Sequence, residues 1–279
     1  MNMRVGNRRR GVAVGLVLVL LASGAETLRG DDWPQWRGPK RDGVWRETGL
    51  LSSFPDGKLP ILWRAPISSG YSGPTVADGR VFVTDRLVKP TQQERVHCFD
   101  AKTGKNLWTH MYDCAYAGVG YDAGPRAAVT VDGDRAYALG SMGNLFCFKA
   151  ADGAIVWQKD CNKEYKIEMP QWGISAAPLV EGDLLIVQIG GKPDACLVAF
   201  DKKTGTEKWR ALGDRASYSA PLILEQAGAR VLVVYTGDNV VGLDPQTGKV
   251  HWKQPFPPKQ MVIGISDPVR SGDRLFMTN

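Results

Sequence analysis

Glycine stands four residues before tryptophan at four places in this chain, each time behind a tight-turn signal. Three segments read almost alike: Phe99-Asp100-AKTGKNL-Trp108, Phe200-Asp201-KKTGTEK-Trp209 and Leu243-Asp244-PQTGKVH-Trp252. A fourth, Phe148-Lys149-AADGAIV-Trp157, keeps the spacing and loses the first aspartate. With 32 glycines and 9 tryptophans in 279 residues, chance placement would give roughly one such pair. The tryptophans are 49, 52 and 43 residues apart, and Trp63, 45 residues before Trp108, extends the series without the turn. Self-similarity at this period marks a stack of repeated units, none of which can bury its apolar face alone.

Inside each unit the pattern is that of strands. A β-rich stretch precedes each Gly–Trp element: Arg80–Thr84, Arg135–Leu139, Leu184–Val187 and Val231–Tyr235. A turn opens each stretch: Asp78-Gly79, Asp132-Gly133, Glu181-Gly182 and Ala227-Gly228. A shorter strand precedes that turn, so each unit offers four short strands joined mostly by tight turns, and no amphipathic helix is predicted after Glu26. The fold class that follows is all-β, a β-propeller of four-stranded antiparallel blades. One indole buries about 150–250 Å², so Trp108, Trp157, Trp209 and Trp252 are predicted to dock structurally between blades. Gly104, Gly153, Gly205 and Gly248 lie four residues before them in the docking turns. Blades fall at roughly 74–108, 127–157, 177–209 and 220–252, and another starts at 267.

The D-x-x-T-G-x-x-x-W element resembles the tryptophan-docking repeat of pyrroloquinoline-quinone (PQQ) type propellers. That superfamily includes quinoprotein alcohol dehydrogenases and an outer-membrane protein assembly scaffold. The opening Trp33-Pro34-Gln35-Trp36-Arg37-Gly38-Pro39 is similar to the start of exported PQQ-like repeat proteins of planctomycete-type bacteria. The resemblance covers most of residues 31–279 and implies seven or eight blades. The expectation is therefore an open, incomplete ring with exposed strand edges, a liability for aggregation.

The first 25 residues read as an export signal. Arg4, Arg8, Arg9 and Arg10 precede an apolar run, Gly11–Leu21, and Ser23-Gly24-Ala25 supplies small residues for cleavage. The run is shorter than the ~20 residues a spanning helix needs, so no membrane span is expected after signal removal. Residues 26–62 are read as an extended segment leading into the propeller, which occupies 63–279. No cysteine follows the small residues, so no lipid anchor is expected, and the mature chain is assigned to the periplasm or beyond. Removing those four arginines leaves 31 basic against 29 acidic residues, and a balance that close to neutral argues against a nucleic-acid partner. Cys98 and Cys147 occupy matching points of the repeat and read as small buried strand residues. Export permits disulfides, and a Cys114–Cys161 bridge is one option for the remainder.

Strand order within a meander selects one working face. All the Asp-Gly and Thr-Gly turns fall at one end of the blades, and the long links 109–126, 158–175, 210–219 and 253–266 fall at the other, together with an Asp85–Arg95 link inside the first blade. Elaborated loops on a rigid scaffold are where binding concentrates. Innermost strands open on small residues after Tyr71-Ser72, Ile174-Ser175, Tyr218-Ser219 and Ile265-Ser266, whereas the second blade reads Gly124-Pro125-Arg126. Arg126 breaks the small-residue rule with a long cation. It is a candidate contact for an anion or carbonyl at the channel mouth; the competing reading pairs it with Asp122. Trp172, Tyr121 and Tyr116 lie in the two longest links and would stack on a ligand or cover their own loops. Tyr71 and Tyr218 flank the same mouth and complete the ligand-face candidates.

Catalytic and metal motifs are missing. The sequence has no H-E-x-x-H, C-x-x-C or G-x-S-x-G, and its three histidines are scattered. Dehydrogenases of the resembling superfamily carry two adjacent cysteines beside PQQ, a Glu/Asn/Asp calcium set and a catalytic aspartate. No adjacent cysteine pair exists here and the other set does not map residue by residue. No catalytic residue or metal site is therefore assigned. The expectation is an exported, non-catalytic binding or scaffold module that holds a protein, peptide or saccharide on its long-loop face, with no cofactor. The alternatives are a PQQ-dependent quinoprotein dehydrogenase and an outer-membrane protein assembly scaffold.

Overall fold

A computed structural model of the chain describes residues 30–54, 57–259 and 264–278; the expected export signal lies outside them. The repeat elements build one local device. In the first, Asp100 Oδ1 accepts from the main-chain N–H of Lys102 (3.2 Å) and Thr103 (2.7 Å). Gly104 then donates to Asp100 O at 2.8 Å and turns the chain at φ +71°. A short acidic side chain that caps its own turn, followed by a residue free to take positive φ, is what Asp-x-x-Thr-Gly encodes. Asp201 and Asp244 repeat the capping. Where Lys149 replaces the aspartate, Gly153 still donates to the residue-149 carbonyl, so the turn survives the degenerate repeat.

These turns join the outer two strands of four antiparallel sheets. Blade 1 holds β1 (Thr75–Ala77), β2 (Arg80–Leu87), β3 (Gln93–Asp100) and β4 (Asn106–Asp113). Blade 2 holds β5 (Thr130–Asp132), β6 (Arg135–Leu139), β7 (Asn144–Lys149) and β8 (Ile155–Asp160). Blade 3 holds β9 (Leu179–Glu181), β10 (Leu184–Gly191), β11 (Ala195–Asp201) and β12 (Glu207–Ala211). Blade 4 holds β13 (Leu222–Gln226), β14 (Ala229–Tyr235), β15 (Asn239–Leu243) and β16 (Val250–Pro255). Each is a simple meander in chain order, and a two-stranded sheet, β17 (Val269–Ser271) with β18 (Arg274–Phe276), begins a fifth unit. The first strands β1, β5 and β9 approach one another and form the hub of an open propeller.

The core is a series of layers between blades. Phe82, Cys98 and Trp108 of blade 1 pack on Ala136, Phe146 and Phe148 of blade 2. Tyr137, Cys147 and Trp157 pack on Leu185, Val187 and Phe200 of blade 3. Ile186, Leu197 and Trp209 pack on Leu232, Val234 and Val241 of blade 4. Both faces of the central strands of blades 2 and 3 are therefore covered, and β10 is buried along its whole length.

Each indole sits over the turn glycine of the following unit. A Cβ on Gly104 would lie 2.5 Å from the Trp63 ring, and one on Gly153 would lie 2.6 Å from that of Trp108. Gly205 and Gly248 stand the same way under Trp157 and Trp209, at 2.7 and 2.6 Å. The ring N–H groups donate across the same joints: Trp63 to Ala101 O, Trp108 to Ala150 O, Trp157 to Lys202 O and Trp209 to Pro245 O, at 2.9–3.1 Å. Trp252 differs. It lies half-buried over Gly242 of its own blade and donates to Gln226 Oε1 at 3.3 Å. At about 25 cal/mol per Å², burying one indole contributes roughly 4–6 kcal/mol of transfer free energy.

Four expectations need correction. A five-residue helix, α1 (Cys161–Tyr165), opens the link after blade 2, with Asp160 capping Lys163 N at 3.0 Å. All five cysteines are buried and free, so Cys114 and Cys161 are not bridged. The Asp85–Arg95 link is not a loop: β2 and β3 run through it and leave only residues 88–92 between them. Asp85 and Arg95 face each other in that ladder and form a salt bridge at 2.5 Å. The tryptophan period places Trp63 on an outer strand, but it belongs to no sheet among the described residues; its chain is held there by the docked ring.

Candidate functional site

The links between blades converge at the hub mouth and enclose a cavity of about 260 Å³. Arg126, Trp172 and Tyr218 line it, with Trp36, Ile265 and Asp267 and the small residues Ser175, Ala177 and Ala220. Tyr71 and Tyr121 do not line it, but each touches a residue that does, Arg126 and Trp172 respectively. All five ligand-face candidates thus come together, from four different stretches of chain.

Arg126 is bound by backbone. Its guanidinium donates to Gly124 O at 2.9 Å, to Gly120 O at 3.1 Å and to Tyr121 O. It also lies over the Tyr71 ring, 4.9 Å from its centroid, a cation–π contact. Burial pulls its pKa down, partly opposed by nearby Tyr116, Tyr71, Tyr218 and Glu94. The Asp122 pairing is not made: Asp122 accepts from Arg86 instead, through Oδ2 at 3.4 Å and through its carbonyl. Arg126 makes no salt bridge among the described residues; its charge is offset at longer range by Glu94, and the Asp267 carboxylate lines the same cavity.

The aromatic wall is built across links. Trp172 stacks on Tyr218 with ring centroids 5.3 Å apart and planes 22° apart, and its main-chain N–H donates to Tyr218 Oη at 2.8 Å. Tyr121 meets the Trp172 edge at 5.7 Å and is 72% exposed at the tip of its loop. Gly120 donates to Gln171 O at 2.7 Å and ties that loop to the next. Tyr116 is not part of the wall. Its hydroxyl donates to the buried carboxylate of Glu94, and its ring lies 3.8 Å from the Arg86 guanidinium carbon. Glu94 also accepts from Tyr112 Oη and, at 3.2 Å, from Ser141 N. These contacts anchor the root of the loop that carries Arg126.

Trp36 and Asp267 were not among the sequence candidates. Trp36 Nε1 donates to Asp267 Oδ2 at 2.6 Å, and Asp267 Oδ1 accepts from Ala220 N at 2.7 Å. Asp267 stands in Ile265-Ser266-Asp267-Pro268, where sister units carry glycine (Gly73) or alanine (Ala177, Ala220). A departure from the small-residue rule, the signal that singled out Arg126, was present there as well.

PQQ is a tricarboxylate quinone, and the residues of this cavity do not fit it. They offer one cation, Arg126, against three carboxylates, and the carboxylate of Asp267 lines the same space. Among the described residues no cluster of His, Cys, Asp or Glu is arranged to hold a metal.

The sequence was compared with known proteins. A family profile described as "Outer membrane protein assembly factor BamB" matches residues 51–110 and 92–279. The assembly factor BamB of Burkholderia pseudomallei (strain K96243) is 29% identical over 214 residues, which is 75% of this chain and 49% of that protein. A 1-butanol dehydrogenase (quinone) of Thauera butanivorans is 31% identical over 147 residues, 48% of this chain and 23% of that protein. The chain thus spans about half, or less, of the length of these relatives. Among solved structures, BamB from Moraxella catarrhalis superposes with a TM-score of 0.53 at 18% identity, over 76% of this chain and 59% of that one. That likeness concerns the fold, and it agrees with the blades and docked indoles described above. By its repeats, its open propeller and the profile that covers residues 51–279, the chain belongs to the BamB-type family of PQQ-like repeat propellers.

Proposed function

We propose that this protein is a non-catalytic binding module of the cell envelope that engages a protein or peptide partner at the hub mouth. One observation carries the reading: loops from separate blades converge on a cavity walled by Trp172 and Tyr218 and lined by Arg126, which makes no salt bridge among the described residues. A rigid aromatic wall with a single cation suits an apolar side chain next to a carbonyl or carboxylate. Few polar groups line the cavity, which favours a peptide over a saccharide, whose hydroxyls would each need a partner. The relation to a protein assembly factor supports a protein partner. The basic and apolar leader at residues 1–21 supports export.

The test is site-specific photo-crosslinking in envelope preparations. A Tyr121→p-benzoylphenylalanine variant places the probe at the exposed loop tip, and Lys203→p-benzoylphenylalanine places it on a turn at the opposite end of the blades. Adducts are expected from position 121 and not from 203. Arg126→Ala should cut the yield about tenfold, the loss expected for a charge-assisted hydrogen bond. Equal adducts from both positions, or a yield indifferent to Arg126, would overturn the assignment.

A further inference from the structure

Residues 31–43 belong to no blade, yet they occupy the hub. Trp33 pairs with Val76 of β1 through both main-chain bonds, at 2.8 and 2.9 Å. Val131 of β5 donates to Pro34 O at 2.8 Å. The segment then curls on itself: Gly38 donates to Gln35 O, Arg41 to Gly38 O and Gly43 to Arg37 O. A Cβ on Gly38 would lie 2.8 Å from the Trp33 ring, so the curl is packed on its own first tryptophan. Arg41 reaches the entrance of β9 and donates to Pro178 O at 2.9 Å and Ala177 O at 3.1 Å, with only 7% of its surface exposed. Trp36 and Arg37 reach the entrance of β17, at Asp267 Oδ2 (2.6 Å) and Pro268 O (3.3 Å).

We propose that the hub is a peptide-binding site, and that residues 31–43 are its resident ligand, tethered to the propeller they fill. The chemistry recognised is a curled Trp-Pro-x-Trp-Arg-Gly peptide with a second arginine four residues after the first. Its two elements of recognition differ in kind. The outward edges of the short hub strands carry unpaired donors and acceptors, and Trp33 and Pro34 satisfy them as an added strand would. The carbonyls before β9 take a guanidinium as a planar fork, a geometry that lysine cannot reproduce. The segment is anchored by these contacts rather than by the chain that follows. Val44, Trp45, Leu50 and Leu51 are 49–66% exposed, so the connection out of the hub is a tether on the surface. A tether holds its ligand at millimolar effective concentration, so the hub stays filled and the floor under the Arg126 cavity stays in place. This reading does not depend on what binds at Arg126.

The test cuts the tether. A protease recognition sequence is inserted between Leu51 and Ser52 in the full-length protein, which is then cleaved and passed over a sizing column. The N-terminal fragment is expected to co-elute with the propeller. A fluorescent peptide spanning residues 31–43 should exchange into the cleaved protein, and bind the uncut protein at least about a hundredfold more weakly because the tethered copy competes. An Arg41→Ala peptide should bind about tenfold more weakly than the parent or worse. Placing that substitution in the peptide leaves the propeller unaltered. Binding indifferent to Arg41, equal binding to cut and uncut protein, or departure of the fragment from a folded propeller that does not rebind the peptide would each overturn the proposal. So would unfolding of the propeller on cleavage, because the segment would then be part of the fold and not a ligand.

Discussion

Replacing Gly153 with alanine tests the docking geometry quantitatively. The residue turns the chain at φ +73°, and a Cβ there would lie 2.6 Å from Trp108 Cδ2 and 2.8 Å from Cε3. Two penalties arise. A non-glycine residue in the left-handed region costs about 1–2 kcal/mol. Forcing a methyl group into the face of a packed indole costs about 1–3 kcal/mol more, because the ring must shift within a closed layer. Alanine also restricts the unfolded chain and returns about 0.4–1 kcal/mol. The net loss is about 1–5 kcal/mol, centred near 3, or roughly 2–20 °C in Tm for a domain of this size. Gly133 supplies the control: it turns at φ +55° with nothing within 4 Å of its added Cβ. Gly133→Ala therefore carries the backbone strain without the clash, about 1 kcal/mol. Urea denaturation followed by circular dichroism measures both. In a Trp108→Phe background, the cost of Gly153→Ala should fall towards that of Gly133→Ala. If the two glycine variants are equally stable in the wild-type background, the indole does not rest on that turn and the account of the joints fails.

Three further outcomes are expected. Trp157→Ala should cost about 3–5 kcal/mol as a buried aromatic truncation, whereas Trp252→Ala, half-buried and docked only on its own blade, should cost less, about 2 kcal/mol; equal losses by denaturant titration would contradict the asymmetry. Burial opposes ionisation of Asp85, but hydrogen bonds from His97, Arg95 and Ser68 N outweigh it and hold the pKa well below the ordinary carboxylate value. The stabilisation is therefore present above about pH 4 and is lost as pH falls further, so the stability gap between wild type and Asp85→Asn should shrink on acidification; a gap constant with pH would refute the linkage. Burial pushes the thiols of Cys98, Cys147 and Cys161 up to about 12, and those of Cys114 and Cys196 higher still. No thiol should react with Ellman's reagent in the native protein near neutral pH, and all five should react after unfolding without reductant; three reactive thiols would reveal a bridge.

The blades were legible because their determinants are local. Asp100, Thr103 and Gly104 form the turn within five consecutive residues, and the indole four residues beyond the glycine recurs at each joint, so a single period carries both turn and packing. The position of Arg126 and Tyr218 at the hub mouth was legible as well, since each stands at a fixed point of the repeat where the innermost strand begins. What the loops do was not. Tyr116 and Tyr121 are five residues apart in one link, yet one hydroxyl is buried on Glu94 of β3 while the other ring stands in solvent. Asp122 is four residues from Arg126, but its partner is Arg86, which reaches it from β2. Outside a helix, proximity along the chain does not imply contact.

The chain's own order of turns, strands and tryptophans thus determines that it folds as successive blades, because each of those signals acts within a few residues and repeats. Tertiary structure alone decides what fills the hub and what lines its mouth. Trp36 meets Asp267 across 231 residues of sequence, and Arg41 finds its carbonyls 136 and 137 residues away. Such contacts are written in no local pattern, since the entropy of closing so long a loop grows only slowly with its length and leaves many partners nearly equal. The geometry of the assembled blades selects among them.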